Sequence, residues 1–131
     1  MTQTRQVGEV MTSDPITVVS TASLAEAVSV LDSKKITGLP VVDASGALVG
    51  VLSQTDLVRA RSNPHLAQNW LGLAVGDIMT KPALTIPATA GLEEAARVME
   101  ERRVHRLAVV DDKATPIGII STSDLVRSWL R

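Results

Sequence analysis

The stretch GLPVVDASGALVGVLSQTDLV occupies residues 38–58, and the related stretch RLAVVDDKATPIGIISTSDLV occupies residues 106–126. Each begins with an apolar run, continues through a turn that opens with aspartate, and returns in a second apolar run. Two such runs around a short turn predict a β-hairpin. The Ser-x-x-Asp sequence near the end of each stretch is typical of a helix start. The chain therefore contains one hairpin-and-helix unit twice, with residue 106 corresponding to residue 38, a shift of 68.

The repetition extends upstream of both hairpins. The segment VGEVMT at residues 7–12 recurs as VGDIMT at residues 75–80. Each copy then has a short strand candidate, followed by a helix with apolar residues at positions i, i+3, i+4 and i+7. The strand candidates are Ile16–Val19 and Leu84–Ile86.

Each copy is predicted to fold as β-α-β-β-α, which makes the chain a mixed α/β (α+β) protein. The boundaries that we expect are residues 7–60 for the first copy, 61–74 for a connector and 75–131 for the second copy. A lone core of fewer than about 70 residues is rarely stable, so we expect the two copies to need each other.

The composition argues against several functions. Lys and Arg number 13 against 14 Asp and Glu, a net charge of −1, whereas a general nucleic-acid binder carries a basic excess. No cysteine is present, which excludes thiol nucleophiles and disulfides. The two histidines, His65 and His105, suggest no nucleophile–base set, no Walker phosphate loop occurs, and Asp111-Asp112 is weak evidence for a metal. We expect no catalysis, no metal and no nucleic-acid partner.

The distribution of apolar residues shows neither a signal peptide nor a membrane span. The segment from Met1 to Gln6 is polar and lacks the apolar run of a signal peptide. The longest apolar stretches fall well short of a membrane span. We therefore expect a cytoplasmic protein without a membrane span.

Both copies resemble a known repeat. The openings VGEVMTSDPITV and VGDIMTKPALTI, together with the two hairpin-to-helix stretches, are similar to the CBS (cystathionine-β-synthase-type) domain. The tandem pair resembles a Bateman module, and the likeness covers nearly the whole chain. It implies two repeats that pack through their sheets about a pseudo-twofold axis and form two equivalent clefts. Many relatives bind AMP, ADP, ATP or S-adenosylmethionine there, form homodimers, and regulate enzymes, channels or transporters.

The two Ser-x-x-Asp corners are the first candidate ligand sites. A helix start offers free N–H groups to a phosphate, and an ionised aspartate accepts hydrogen bonds from ribose hydroxyls. The same pattern is also an N-cap that needs no ligand, and the two interpretations are compatible. Its occurrence twice in register, within the resemblance, favours ligand binding. The residues are Ser53, Thr55, Asp56, Ser121, Ser123 and Asp124.

A basic pair precedes the hairpin of the second copy. His105 and Arg106 are similar to a His-Arg pair that reaches the phosphates in nucleotide-binding relatives, and Arg106 is suited to a charge-assisted fork. The alternative is that this basic run complements the C-terminal end of the preceding helix dipole. The first copy has Thr37 and Gly38 at these positions. The two clefts are therefore not expected to be occupied equally.

A base pocket is implied by the resemblance alone. The chain has two Trp and neither Phe nor Tyr, so aliphatic side chains are expected to hold the base. For most of these residues ordinary core packing is the alternative. Trp70 and Trp129 are interpreted as packing or dimer contacts, and His65 as exposed. The pocket residues are Ile16, Thr17, Val18, Thr37, Gly38, Leu39, Pro40, Leu84, Thr85, Ile86 and Leu107.

These observations predict a non-catalytic regulatory module that binds an adenine nucleotide or S-adenosylmethionine between the repeats. The nucleotide is expected as a regulatory ligand rather than as a cofactor, and a homodimer and a regulated enzyme or transporter are the expected partners. The competing hypothesis is a ligand-free scaffold that dimerises or docks on another protein through its helices.

Overall fold

The computed structural model describes residues 5–130, in which short strands alternate with helices. The predicted mixed α/β class and the strand-helix order of both copies are confirmed. The elements are α1 Val7–Val10, β1 Thr12–Ser13, β2 Val18–Val19, α2 Leu24–Lys34, β3 Gly38–Val42, β4 Leu48–Ser53, α3 Gln54–Ser62, α4 Pro64–Gln68, a 3-10 turn Trp70–Gly72, α5 Val75–Ile78, β5 Thr85–Pro87, α6 Leu92–Arg102, β6 Arg106–Val110, β7 Pro116–Ser121 and α7 Thr122–Ser128.

The chain divides into two compact units. The first-copy unit comprises residues 16–83 and contains the sheet β2-β3-β4, in which β2 and β3 are parallel and β3 and β4 form the predicted hairpin. The second-copy unit comprises residues 5–15 and 84–130 and contains the sheet β1-β7-β6-β5. In this unit β5 and β6 are parallel, and β6 and β7 form the hairpin.

The opening segment of each copy, residues 7–15 in the first and 75–83 in the second, packs on the hairpin of the other copy. Thr12 in β1 pairs with Ile119 in β7, although the two residues belong to different copies of the sequence. In the first-copy unit, Val51 and Thr80 exchange two backbone hydrogen bonds of 2.9 Å. The predicted boundaries follow the repeat in the sequence, whereas the compact units exchange these segments. The one-turn helices α1 and α5 within them were not predicted.

Two glycines let the opening segments lie directly on the hairpins. A Cβ at Gly50 would lie 2.7 Å from the sulfur of Met79 and 2.9 Å from the carbonyl oxygen of Thr80. A Cβ at Gly118 would collide with Met11 and lie 2.9 Å from the carbonyl oxygen of Thr12. Any larger residue would therefore push the opening segment off the strand.

Each unit has its own aliphatic core. In α2 the predicted spacing buries Leu24, Ala27 and Leu31 against the sheet, while Val28 is 42% exposed and lies at the edge of the apolar face. In α6, Ala95 and Met99 are the buried residues of the corresponding face. Amphipathic helices of this kind are stabilised mainly by packing on a sheet.

Within residues 5–130, no helix is long and apolar enough to cross a membrane.

Candidate functional site

Each hairpin brings the start of its first strand beside the end of its second strand. In the second-copy unit Arg106 is the direct partner of Ser121, and in the first-copy unit Gly38 is the direct partner of Ser53. Side chains of directly opposed residues in an antiparallel pair lie on the same face of the sheet. The hydroxyl of Ser121 therefore shares its face with a guanidinium, whereas that of Ser53 has no side chain opposite it.

The two Ser-x-x-Asp corners are reciprocal capping boxes. The hydroxyl of Ser53 accepts from the backbone N–H of Asp56 at 3.2 Å, and the carboxylate of Asp56 accepts from the backbone N–H of Ser53 at 2.9 Å. The corresponding distances for Ser121 and Asp124 are 3.2 and 2.8 Å. The capping interpretation is confirmed in both copies, and ligand binding at these corners stays a prediction.

Most N–H groups at these helix starts already have acceptors. The first helical N–H of α3, at Gln54, donates to the carbonyl oxygen of Thr37 at 3.0 Å, and that of α7, at Thr122, donates to His105 at 2.9 Å. Within residues 5–130, the N–H groups of Thr55 and Ser123 are the ones in the first turns without a protein acceptor. Each helix start thus offers a phosphate one N–H rather than a group of several.

The carboxylates of Asp56 and Asp124 are both buried, with 3% and 7% of the residue exposed, but their partners differ. Oxygen Oδ1 of Asp56 accepts from the guanidinium of Arg59 at 3.1 Å and from the hydroxyl of Thr80 at 2.8 Å. Among residues 5–130, the single donor to Oδ1 of Asp124 is Arg127 at 3.3 Å. Asp124 therefore retains more capacity to accept a hydrogen bond from a ligand hydroxyl.

A depression of about 180 Å³ lies beside Asp124 in the second-copy unit. In it, Arg5 donates a 3.1 Å hydrogen bond to the carbonyl oxygen of Ser128 near the end of α7. Pockets for ligands of nucleotide size begin at about 300 Å³, so this depression does not by itself accommodate a whole nucleotide. Its lining is Arg5, Glu9, Val10, Asp124, Arg127 and Ser128.

The second-copy unit presents positive charge where its first hairpin strand begins. His105 and Arg106 are exposed, and Arg102 and Arg103 at the end of α6 are exposed as well. No carboxylate from residues 5–130 lies within 4.0 Å of the Arg106 guanidinium. This cation is consequently available to an anionic ligand.

The residues predicted to line a base pocket separate into two groups. Val18, Leu39, Ile86 and Leu107 belong to the buried cores, so for their side chains the core-packing alternative is confirmed. Pro40 is also buried, and Gly38 is half-buried. The accessible members are Ile16, Thr17, Thr37, Leu84 and Thr85, of which Leu84 is half-buried.

Trp70, Trp129 and His65 are not part of either Ser-x-x-Asp corner. Trp70 packs on the first-copy core, with the guanidinium of Arg61 at 5.1 Å from its ring centroid, which confirms a packing role. His65 is exposed, as predicted. Trp129 is 67% exposed at the end of α7, and its role in a dimer stays a prediction.

The hydrogen-bond partners that Asp56 and Asp124 find beyond their capping serines were not predicted from the sequence. The Asp-x-x-Arg spacing, present in both copies, places Arg59 and Arg127 one helical turn after the carboxylates and is a usable signal. Thr80 lies 24 residues from Asp56 and carries no such local signal. Within the described part of the chain, no group of three His, Asp or Glu side chains is arranged to hold a metal ion.

Comparison with known proteins agrees with the repeat. The family model described as "CBS domain" matches residues 7–63 and again residues 75–131. The chain therefore belongs to the CBS-domain family and contains two copies of that domain.

Solved structures of CBS-domain pairs are similar over almost the full chain. CBSX2, a protein of Arabidopsis thaliana, has been solved in complex with AMP; its TM-score is 0.86 at 38% identity, and 96% of each chain is covered. The CBS domain pair of protein MJ0100, in complex with 5′-methylthioadenosine and S-adenosyl-L-methionine, has a TM-score of 0.83 at 30% identity, with 97% of each chain covered.

The curated relatives are longer proteins. The chain is 35% identical to the chloroplastic CBSX2 protein over 83% of its own length, and it spans 56% of that relative. It is 32% identical to an inosine-5′-monophosphate dehydrogenase of Nitrosopumilus maritimus over 95% of its own length, and it spans 24% of that enzyme. The CBS pair is thus a minor part of the enzyme.

Proposed function

We propose that this CBS-domain pair binds an adenine nucleoside ligand and acts as a regulatory module rather than as a catalyst. The observation that carries the proposal is the likeness, over at least 96% of the chain, to CBS pairs solved with AMP or with 5′-methylthioadenosine and S-adenosylmethionine. All three ligands share an adenosine moiety, so the shared chemistry is a purine base with a ribose.

Charge favours a phosphorylated ligand over S-adenosylmethionine. The exposed guanidinium of Arg106 is adjacent in sequence to the exposed imidazole of His105 and has no carboxylate of residues 5–130 within 4.0 Å. A phosphate forms charge-assisted hydrogen bonds with such a group, whereas a sulfonium is repelled by it. We therefore expect AMP, ADP or ATP as the ligand.

The second-copy unit is the better site for that ligand. Arg106 binds the phosphate, and the open acceptor position of Asp124 receives a ribose hydroxyl. Ser121, opposite Arg106, and the N–H of Ser123 lie at the same helix start and complete the polar side of the site. In the first-copy unit Gly38 supplies no cation.

The base is expected to contact the accessible aliphatic and threonine side chains that precede or open the parallel strand of each unit. In the second-copy unit these are Leu84, which is half-buried, and Thr85, which is exposed. The backbone of Leu84 also accepts a hydrogen bond of 3.3 Å from Ala108 in β6, which ties this segment to the strand after Arg106. Aliphatic contacts fit a chain that has neither Phe nor Tyr.

The regulatory role, a homodimer, a cytoplasmic location and a regulated enzyme or transporter stay predictions. The non-catalytic role is supported by the sequence, which has no cysteine and has two histidines, His65 and His105. Both histidines are exposed.

The test is a thermal melt of the purified chain with AMP, ADP, ATP, adenosine and S-adenosylmethionine, with inosine as the control for the base. A ligand present at 100 times its Kd stabilises the folded state by about 2.7 kcal/mol, which raises the Tm by roughly 8 °C. We expect the phosphorylated ligands to give the largest increase. An unchanged Tm with all of them at millimolar concentration contradicts nucleotide binding.

A ligand-free scaffold is the second candidate, and one observation favours it. The equivalent residues Val58 in α3 and Val126 in α7 are 65% and 56% exposed, and Trp129 lies one turn beyond Val126. Exposed apolar residues at equivalent positions suit a helix-mediated contact. A stable dimer by light scattering, combined with flat melting curves, supports this candidate instead.

A further inference from the structure

The side chain of Thr80 is hydrogen-bonded to the buried carboxylate of Asp56 in the first-copy unit. Its hydroxyl donates to Oδ1 of Asp56 at 2.8 Å, the same oxygen that accepts from Arg59 at 3.1 Å. The backbone of Thr80 is held by one residue of the hairpin, because its N–H and its carbonyl oxygen each pair with Val51 at 2.9 Å. The contact therefore depends on one side-chain torsion, while the main chain is held by the sheet.

The equivalent threonine of the other copy makes no such contact. Thr12 corresponds to Thr80 by the shift of 68 residues, and it pairs with Ile119 as Thr80 pairs with Val51. Among residues 5–130, Asp124 receives hydrogen bonds from Ser121 and Arg127 and none from the hydroxyl of Thr12. The repeat therefore provides an open copy and a closed copy of one corner.

We propose that Thr80 blocks the first-copy nucleotide site, so that the chain binds its first nucleotide at the second-copy site. This inference rests on the proposed function. A ribose hydroxyl that binds Asp56 must first displace the hydroxyl of Thr80, and the exchange of one hydroxyl donor for another gives little net gain. At Asp124 the same ribose hydroxyl adds a charge-assisted hydrogen bond without displacing a protein hydroxyl.

Thr80 is well placed to act as a block because it is exposed while its target is buried. Gly50 allows the opening segment to lie close enough for the contact, since a Cβ there would lie 2.9 Å from the carbonyl oxygen of Thr80. A threonine side chain has few allowed torsions, which keeps the hydroxyl in position. Removal of the hydroxyl alone leaves these backbone contacts in place.

The test compares three variants with the wild type by isothermal titration calorimetry, using AMP and adenosine. Thr80→Val removes the hydroxyl at nearly constant volume, Thr80→Ser retains it, and Thr12→Val is the matched control in the other copy. We expect one AMP per wild-type chain. Thr80→Val should add a second event, with adenosine affinity at that site raised about tenfold by the freed acceptor. Thr80→Ser and Thr12→Val should behave as the wild type.

Each outcome decides one question. Two equal events in the wild type, or a Thr80→Val variant that binds as the wild type does, overturn the block but leave nucleotide binding intact. Absence of binding in the wild type and in Thr80→Val alike overturns both the block and the proposed function. Should Thr80→Val fail to fold by circular dichroism, Thr80→Ala carries the same expectation.

Discussion

The two copies of the repeat have the same fold, and they differ in the charge and in the hydrogen bonds at their Ser-x-x-Asp corners. Both hairpins end in a Ser-x-x-Asp capping box, and both aspartates are buried. Across the hairpin, however, Arg106 faces Ser121 where Gly38 faces Ser53. The two copies therefore share the residues that build the corner and differ in the charge beside it.

The aspartates show the same contrast in their hydrogen bonds. The side chain of Asp56 accepts from the backbone and hydroxyl of Ser53, from Arg59 and from Thr80. That of Asp124 accepts from the backbone of Ser121 and from Arg127. A carboxylate with more internal donors contributes more to stability and has less capacity for a ligand. Asp56 should therefore contribute more than Asp124 to the stability of the fold, and Asp124 should contribute more than Asp56 to the affinity for a ligand.

The largest expected effect is on stability. Asp56→Ala removes four donor contacts of a buried carboxylate and should lower the free energy of unfolding by about 3 kcal/mol, against about 2 kcal/mol for Asp124→Ala. For AMP binding the order reverses, and Asp124→Ala should weaken affinity more than Asp56→Ala. Urea unfolding and calorimetry on the same two variants measure both quantities. Equal losses for the two variants in both assays would show that the two aspartates are equivalent in stability and in binding.

The next largest effect is a loss of stability on replacement of a strand glycine, and it should be equal in the two copies. Gly50→Ala and Gly118→Ala each place a Cβ 2.9 Å from a backbone carbonyl of the packed opening segment. The strand must then shift, and we expect each variant to lose about 2 kcal/mol of unfolding free energy in urea. Gly72→Ala is the control, because the atom nearest to its Cβ is the end of the Asn69 side chain. A large difference between the two glycines would show that the copies differ in packing as well as in charge.

The guanidinium of Arg106 should contribute to the affinity for the phosphate of AMP and not to the affinity for its base. Arg106→Ala removes a charge-assisted hydrogen bond and should weaken AMP about tenfold while leaving adenosine affinity nearly unchanged. Arg97→Ala, which removes an exposed arginine near Glu101 on α6, is the control. The readout is the Kd for each ligand. A parallel loss for adenosine and AMP would assign Arg106 to folding rather than to phosphate.

The smallest effect concerns the turn of the first hairpin. The hydroxyl of Ser45 donates to the carboxylate of Asp43 and is the main reason that the pKa of this carboxyl lies below its ordinary value. The N–H of Ala47 donates to the same carboxylate and is the next largest cause. A lowered pKa in the folded state stabilises the fold above the ordinary pKa, and this contribution is lost as the pH falls through the folded value. Ser45→Ala should raise the pKa of Asp43 in an NMR titration. The second copy has Lys113 at this position, which offers no hydroxyl. Ser33→Ala is the control, and an unchanged pKa in Ser45→Ala would assign the shift to the backbone donors.

Much of the fold was predictable because its signals are local. The hairpins follow from two apolar runs around a turn, and helices α2 and α6 follow from the spacing of Leu24, Ala27 and Leu31 and its counterpart. The one-turn helices α1 and α5 were not predicted, since a four-residue helix has too few turns to show periodicity. The exchange of opening segments was likewise not predictable, because the two segments, VGEVMT and VGDIMT, are nearly identical and carry no signal for one hairpin over the other.

The candidate site was predictable in part. The Ser-x-x-Asp corners and the Arg106 departure were visible in the residues, because capping and charge depend on neighbours within one turn. The contact between Thr80 and Asp56 was invisible, because it joins residues 24 positions apart through the packing of the opening segment.

Periodicity, caps and charge are encoded locally, so the residue pattern was enough to predict a duplicated hairpin-and-helix unit with one cationic copy. Which aspartate keeps an open acceptor position follows only from the folded chain. Hydrogen-bond donors that reach a buried carboxylate are set by which segments pack against it, and that packing is a property of the folded chain.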